Sequence, residues 1–125
     1  TEDTLHAVIR TRCAEAISLA GKTTLVELAT LARGALVAIG NDTGPMHLVA
    51  AAGCPSVVLY SHQSDPALCG QRGACVTYIR RPSLKDVSVE EVLATVAAQM
   101  AERRGFRAAG SRADAAFSGK SAQPA

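Results

Sequence analysis

VAIGNDTGPMHLVAAAGCPSVVLYS, residues 37–61, joins two apolar runs through a polar turn and a short helical pattern, and the order of these pieces decides the fold. Leu36-Val37-Ala38-Ile39 is continuous and of strand length, the pattern of a parallel strand buried on both faces. Gly40 to Gly44 interrupt it. Pro45 suits the first turn of a helix, where its missing N–H is not needed. Met46 to Ala52 fill that helix, and Gly53 ends it with Pro55 just beyond. Ser56-Val57-Val58-Leu59-Tyr60 then reads as a second buried strand. Strand, helix and strand at this spacing predict a crossover between parallel neighbours.

Outward from this unit the alternation continues. Upstream, Leu5, Val8, Ile9 and Ala16 give a helical period, and the apolar Ala16 to Ala20 is long enough for a short strand before Gly21 breaks the run. Thr24-Leu25-Val26-Glu27 is a capping box opening a stripe of Leu25, Leu28, Ala29 and Ala32, which closes at Arg33-Gly34. Downstream, a polar loop runs to about Gly73 and Cys75 to Ile79 reads as a third strand. Ser88-Val89-Glu90-Glu91 is a second capping box, and Val89, Val92, Leu93, Val96 and Met100 give the last helix one apolar face. The expected class is therefore α/β, a Rossmann-like parallel sheet with helices on both faces. Ligands of such sheets bind at the carboxyl ends of the strands, which places the loops after Ile39 and Tyr60 on the functional edge.

A chain of 125 residues, 48% hydrophobic and 19% charged, suits one globular domain with one core. Its apolar runs fall far short of the roughly 20 residues that span a bilayer, and no basic-then-apolar leader opens it, so a cytoplasmic protein is expected. The opening Thr1-Glu2-Asp3-Thr4, with no Met, suggests a piece of something longer. Residues 103–125 hold five basic residues (Arg103, Arg104, Arg107, Arg112 and Lys120) against Asp114. That is a local +4, which leaves −2 on the rest of a chain whose total is +2. Because this segment is Ala/Gly/Ser-rich with dispersed charges, it reads as a solvated, disordered tail, not as a nucleic-acid-binding surface. Cys13, Cys54, Cys69 and Cys75 show neither zinc-ligand spacing nor a disulfide frame, and read as small buried hydrophobes.

Two segments are candidates for chemistry. Gly21-Lys22-Thr23-Thr24 resembles the end of a phosphate-binding P-loop, but Ala16 occupies the position of the required earlier glycine, and a helix-start turn is the better reading. Lys22 retains the reach to touch a ligand. Gly40-Asn41-Asp42-Thr43-Gly44-Pro45-Met46-His47 links a buried strand to a helix start, whose unpaired N–H groups and positive dipole end suit a diphosphate. The same residues are ordinary turn and capping types, so local chemistry leaves both readings open. His47 would pair with a phosphate or be satisfied by backbone. Ser61, His62, Gln63, Ser64 and Asp65, at the same sheet edge, either read sugar hydroxyls or form a solvated loop. His6, on an amphipathic helix, carries no expected role.

LAGKTTLVELATLARGALVAIGNDTGPMHLVAAAGCPSVVLY, residues 19–60, followed by Ser64-Asp65-Pro66, resembles the C-terminal half of glycosyltransferase family 9, the heptosyltransferases of lipopolysaccharide core assembly. The resemblance spans about residues 15–100, and Asn-Asp-Thr-Gly-Pro-Met-His-Leu is its specific signature. It implies the nucleotide-sugar donor domain of a two-domain GT-B enzyme, over residues 1–102. Asn41, Asp42, Thr43, Gly44 and His47 would then line the donor site, with Lys22, Ser61, His62, Ser64 and Asp65 as further candidates. ADP-heptose would be the donor and a lipopolysaccharide core-type acceptor would bind a missing N-terminal domain carrying the general base. The implied location is the inner face of the inner membrane. No metal or cofactor is expected, since no Asp-x-Asp pair is present. The basic and hydroxyl element that usually precedes this region is absent, and Ser61-His62-Gln63-Ser64 replaces the family's Gly-Pro-Thr. The alternatives are a non-catalytic, degenerate nucleotide-binding fragment and a GT-B enzyme using a UDP-sugar.

Overall fold

The computed structural model of the chain describes residues 2–118. In order, its elements are α1 (Glu2–Arg12), α2 (Leu25–Gly34), β1 (Ala38–Asn41), α3 (Gly44–Ala51), β2 (Ser56–Tyr60), α4 (Pro66–Cys69), β3 (Val76–Arg80), a 3-10 turn (Leu84–Asp86) and α5 (Val89–Ser118). The strands form one parallel sheet in the order β1-β2-β3, with Ile39 beside Val57 and Val57 beside Thr77. This is the α/β, Rossmann-like arrangement expected from the alternation of elements.

The register sorts side chains by face. Val58 and Tyr60 point to the side where Met46 of α3 packs, and these three form one buried cluster. α2 stacks outside α3: Ala32 meets Val49 and Cys54 in a second cluster, with Leu28 against it. On the opposite face Thr77 accepts a hydrogen bond from the Gln99 amide of α5 at 2.5 Å, and the Gln99 carbonyl accepts from the Cys75 thiol. Helices therefore cover both faces, with β2 as the buried central strand. Arg103 donates to the Ala35 carbonyl, tying α5 to the chain entering β1.

Local chemistry explains the boundaries. At α2 the Thr24 hydroxyl accepts from the Glu27 N–H while the Glu27 carboxylate accepts from the Thr24 N–H at 2.8 Å, the predicted capping box. Those hydrogen bonds, the backbone one foremost, hold the Glu27 carboxyl below its usual range. At α5 the Ser88 hydroxyl accepts from the Glu91 N–H, but the Glu91 carboxylate pairs with Arg81. Gly53 leaves α3 at φ +88, a conformation open to glycine and strained for other residues.

Four sequence expectations need correction. The Ala16 to Ala20 run is not a strand; it is irregular, with Ile17 83% exposed, because among the described residues no strand lies beside it to share a ladder. β1 is not buried on both faces: it sits at the sheet edge, and Ile39 is half-exposed. The inward stripe of α5 is also rotated, leaving Val89 and Leu93 exposed and burying Gln99, whose polar atoms are satisfied by Thr77, Ser56 and Cys75. Cys13 and Cys69 are exposed, so only part of the thiol set is buried.

α5 also continues past residue 102 as far as Ser118, since alanine and arginine favour helix and only two glycines interrupt them; residues 119–125 lie outside the described residues.

Three glycines are fixed by packing: Gly70 and Gly73, where a Cβ would strike the backbone carbonyls of Pro66 and Ala50, and Gly40. A Cβ on Gly40 would lie 2.7 Å from both Cγ and Sδ of Met46, so a side chain at position 40 would force Met46 of α3 to shift. Gly40→Ala is expected to destabilise the fold by about 1–2 kcal/mol through overpacking. Urea unfolding monitored by circular dichroism checks this.

Candidate functional site

β1 ends at Asn41 and α3 begins at Gly44, so the turn between them opens at the carboxyl end of the sheet. Thr43 is the N-cap residue in extended conformation (φ −142, ψ 158), but its side chain makes no capping hydrogen bond. Its hydroxyl turns back to the Asn41 carbonyl at 3.4 Å. A Cβ on Gly44 would meet nothing within 4 Å, so the space in front of the helix start is open. Pro45 supplies no N–H, and the Met46 and His47 amides bond to the Thr43 carbonyl, at 3.1 and 3.4 Å. An anion approaching here meets the positive end of α3 and the backbone around Thr43 and Gly44.

Asp42 sits beside this opening with its carboxylate held from behind. Oδ1 accepts from Gln71 Nε2 at 2.9 Å and lies 3.3 Å from the Tyr60 hydroxyl, and Oδ2 lies 3.7 Å from the Cys69 thiol. The His47 ring, 46% exposed, approaches Oδ1 at 3.7 Å. Partial burial pushes the Asp42 carboxyl up, but hydrogen bonds from Ser64, Gln71, Tyr60 and Cys69 outweigh it, so its pKa lies below the ordinary 3.8. Burial, followed by the neighbouring Asp42 charge, pushes the Tyr60 phenol up to about 12, so it stays protonated and donates.

A depressed carboxyl pKa stabilises the fold above the unfolded-state value, and that contribution disappears as pH falls through the folded value. The chain is therefore expected to lose stability below about pH 4. Asp42→Asn should remove Asp42's share of that slope, read from urea midpoints measured across the acid range.

The other sequence candidates divide. Ser64 joins the Asp42 cluster. Asp65 caps α4 by accepting from the Ala67 N–H at 3.0 Å and lies 3.7 Å from Arg80, a largely exposed pair that adds little to stability. Ser61 accepts from the Gln63 N–H, a local turn contact. His62 is drawn away from the Asp42 cluster toward the segment after β3, its Nδ1 lying 2.6 Å from the Pro82 carbonyl. Lys22 lies ahead of α2 with Thr23 and Glu27 along a separate shallow groove, and its ammonium has no ion pair among the described residues.

The family model for glycosyltransferase family 9 (heptosyltransferase) matches residues 1–94. The chain belongs to glycosyltransferase family 9. Comparison with curated proteins and with solved structures gave no match. Membership makes glycosyl transfer the general chemistry, and a nucleotide sugar and an acceptor the general partners. No helix among the described residues is long and apolar enough to cross a membrane. Nor do three His, Cys, Asp or Glu side chains converge in metal-binding fashion among them.

In this family 9 chain, Tyr60 and Gln71 complete the Asp42 cluster, and sequence reasoning missed both. Tyr60 had a signal: a phenol ending a buried strand needs a partner for its hydroxyl. Gln71 had none, because it lies in an irregular stretch whose burial depends entirely on tertiary contacts.

Proposed function

We propose that this chain is the donor-binding part of an inverting glycosyltransferase that moves heptose, or a related sugar, from ADP-heptose to a lipopolysaccharide core-type acceptor. The observation that carries this reading is the uncapped, open start of α3 beside Asp42, at the carboxyl edge of the sheet. Departure of the sugar leaves charge on the nucleoside diphosphate, and fixed amide dipoles with the nearby His47 imidazole stabilise that charge. Asp42 accepts hydrogen bonds from sugar hydroxyls. Glycosyl transfer then needs neither a metal nor a cofactor on this chain. The acceptor and the general base belong to an N-terminal domain, and the enzyme works at the inner face of the inner membrane.

Calorimetry with ADP, ADP-heptose and UDP tests this reading. ADP-heptose and ADP are expected to bind, and UDP more weakly. His47→Ala should weaken both adenine ligands by about tenfold, the loss of one charge-assisted hydrogen bond. Asp42→Asn should weaken ADP-heptose more than ADP. Absence of any binding would make the chain a degenerate fragment, and a preference for UDP would point to another sugar nucleotide.

A further inference from the structure

We propose that Gln71 is a positioning residue for the donor site: its carboxamide holds the Asp42 carboxylate through Oδ1 and so fixes its orientation beside the start of α3. This rests on the donor-site reading of the turn between β1 and α3. Gln71 is 1% exposed and its side chain bridges two groups of opposite hydrogen-bonding character. Nε2 donates to Asp42 Oδ1 at 2.9 Å, and Oε1 accepts from the Tyr60 hydroxyl. The amide takes this orientation because reversal would set a carbonyl against a carboxylate. The backbone is held as well, since the Gln71 carbonyl accepts from the Tyr78 hydroxyl, and the Tyr60 and Tyr78 rings meet edge to face with centroids 5.6 Å apart.

A carboxylate offers about four lone-pair sites. Oδ1 is engaged by Gln71, close to Tyr60 and 3.7 Å from the His47 ring, Oδ2 has the Cys69 thiol at 3.7 Å, and the Ser64 hydroxyl also donates to the carboxylate; the weak thiol contact is the one a sugar hydroxyl would most readily displace. Gln71 thus acts on a ligand it does not touch, and it links the segment after α4 to the signature turn. The titratable groups facing Asp42 are His47 on α3, Tyr60 on β2 and Cys69 on α4.

The test uses NMR titration of the full chain carrying isotope-labelled aspartate, followed by calorimetry. Gln71→Met keeps the length and removes both hydrogen bonds; it is expected to raise the Asp42 titration midpoint. Gln71→Glu should raise the midpoint further, because two acids would then share the pocket. Gln71→Asn shortens the side chain by one methylene, withdraws the amide from Asp42, and should also raise the midpoint, which keeps the test available if Gln71→Met does not fold. An unmoved midpoint in a folded variant overturns the proposal. In binding, Gln71→Met should lower ADP-heptose affinity about tenfold and leave ADP unchanged, the split expected of a sugar-end effect. Equal loss of both ligands would mark Gln71 as structural only and overturn its role at the site. If the parent chain binds neither nucleotide, the donor reading fails by itself. A raised midpoint then still upholds the hold of Gln71 on Asp42.

Discussion

Truncating Tyr60 to alanine is expected to lower the unfolding free energy by about 3–5 kcal/mol, the range for buried aromatic side chains replaced by alanine. Tyr60 has no exposed surface and packs with Met46 and Val58 at the centre of the sheet, so its loss opens a void that the flanking strands cannot close. Tyr60→Phe separates the two contributions: it keeps the ring and removes the hydroxyl, and should cost only about 1 kcal/mol. Denaturant unfolding of the three chains checks the order. A Tyr60→Phe chain as unstable as Tyr60→Ala would mean that the hydroxyl network, and not packing, dominates at this position.

Asp42→Ala is the second large effect, expected at about 2–3 kcal/mol. The deleted carboxylate leaves Gln71 Nε2 buried without its acceptor and removes the anchor of Ser64. Asp42→Asn retains an acceptor for Gln71 and should recover most of that stability, though not the acid dependence or, on the donor reading proposed above, the hydrogen bonds to the sugar. Stability and ligand discrimination therefore separate between two substitutions at one position. An alanine variant as stable as the parent would show that Gln71 finds another partner or water.

The parts of the fold readable from sequence were those fixed by neighbours along the chain. Thr24 and Glu27 lie three residues apart and satisfy each other, and Pro45 and Gly53 bracket α3 through their own backbone restrictions. The run 56–60 was legible as a strand because five consecutive residues favour one. Illegible features depend on what lies alongside in space. Ala16 to Ala20 has the composition of a strand and no strand to pair with, and β1 has the composition of a central strand and a place at the edge. In α5 the buried stripe includes Gln99 and Glu91, which bond Thr77 and Arg81, so apolar periodicity found Val92, Val96 and Met100 but also counted the exposed Val89 and Leu93.

The candidate site divides in the same way. The turn 41–47 was recognisable as a local unit. The support behind it was not, since Gln71 reaches Asp42 across 29 positions of chain.

The exposed edge of β1 bears on how the chain behaves as a material. Among the described residues Ala38–Asn41 pairs with β2 on one side only, and it includes no lysine or proline, residues that commonly blunt sheet edges. The half-exposed Ile39 and the exposed Leu36 lie along that rim. Edge-on stacking of chains is therefore the colloidal hazard built into this sheet, and its seam runs one residue away from Asp42, so clumping and loss of ligand access would occur at the same rim.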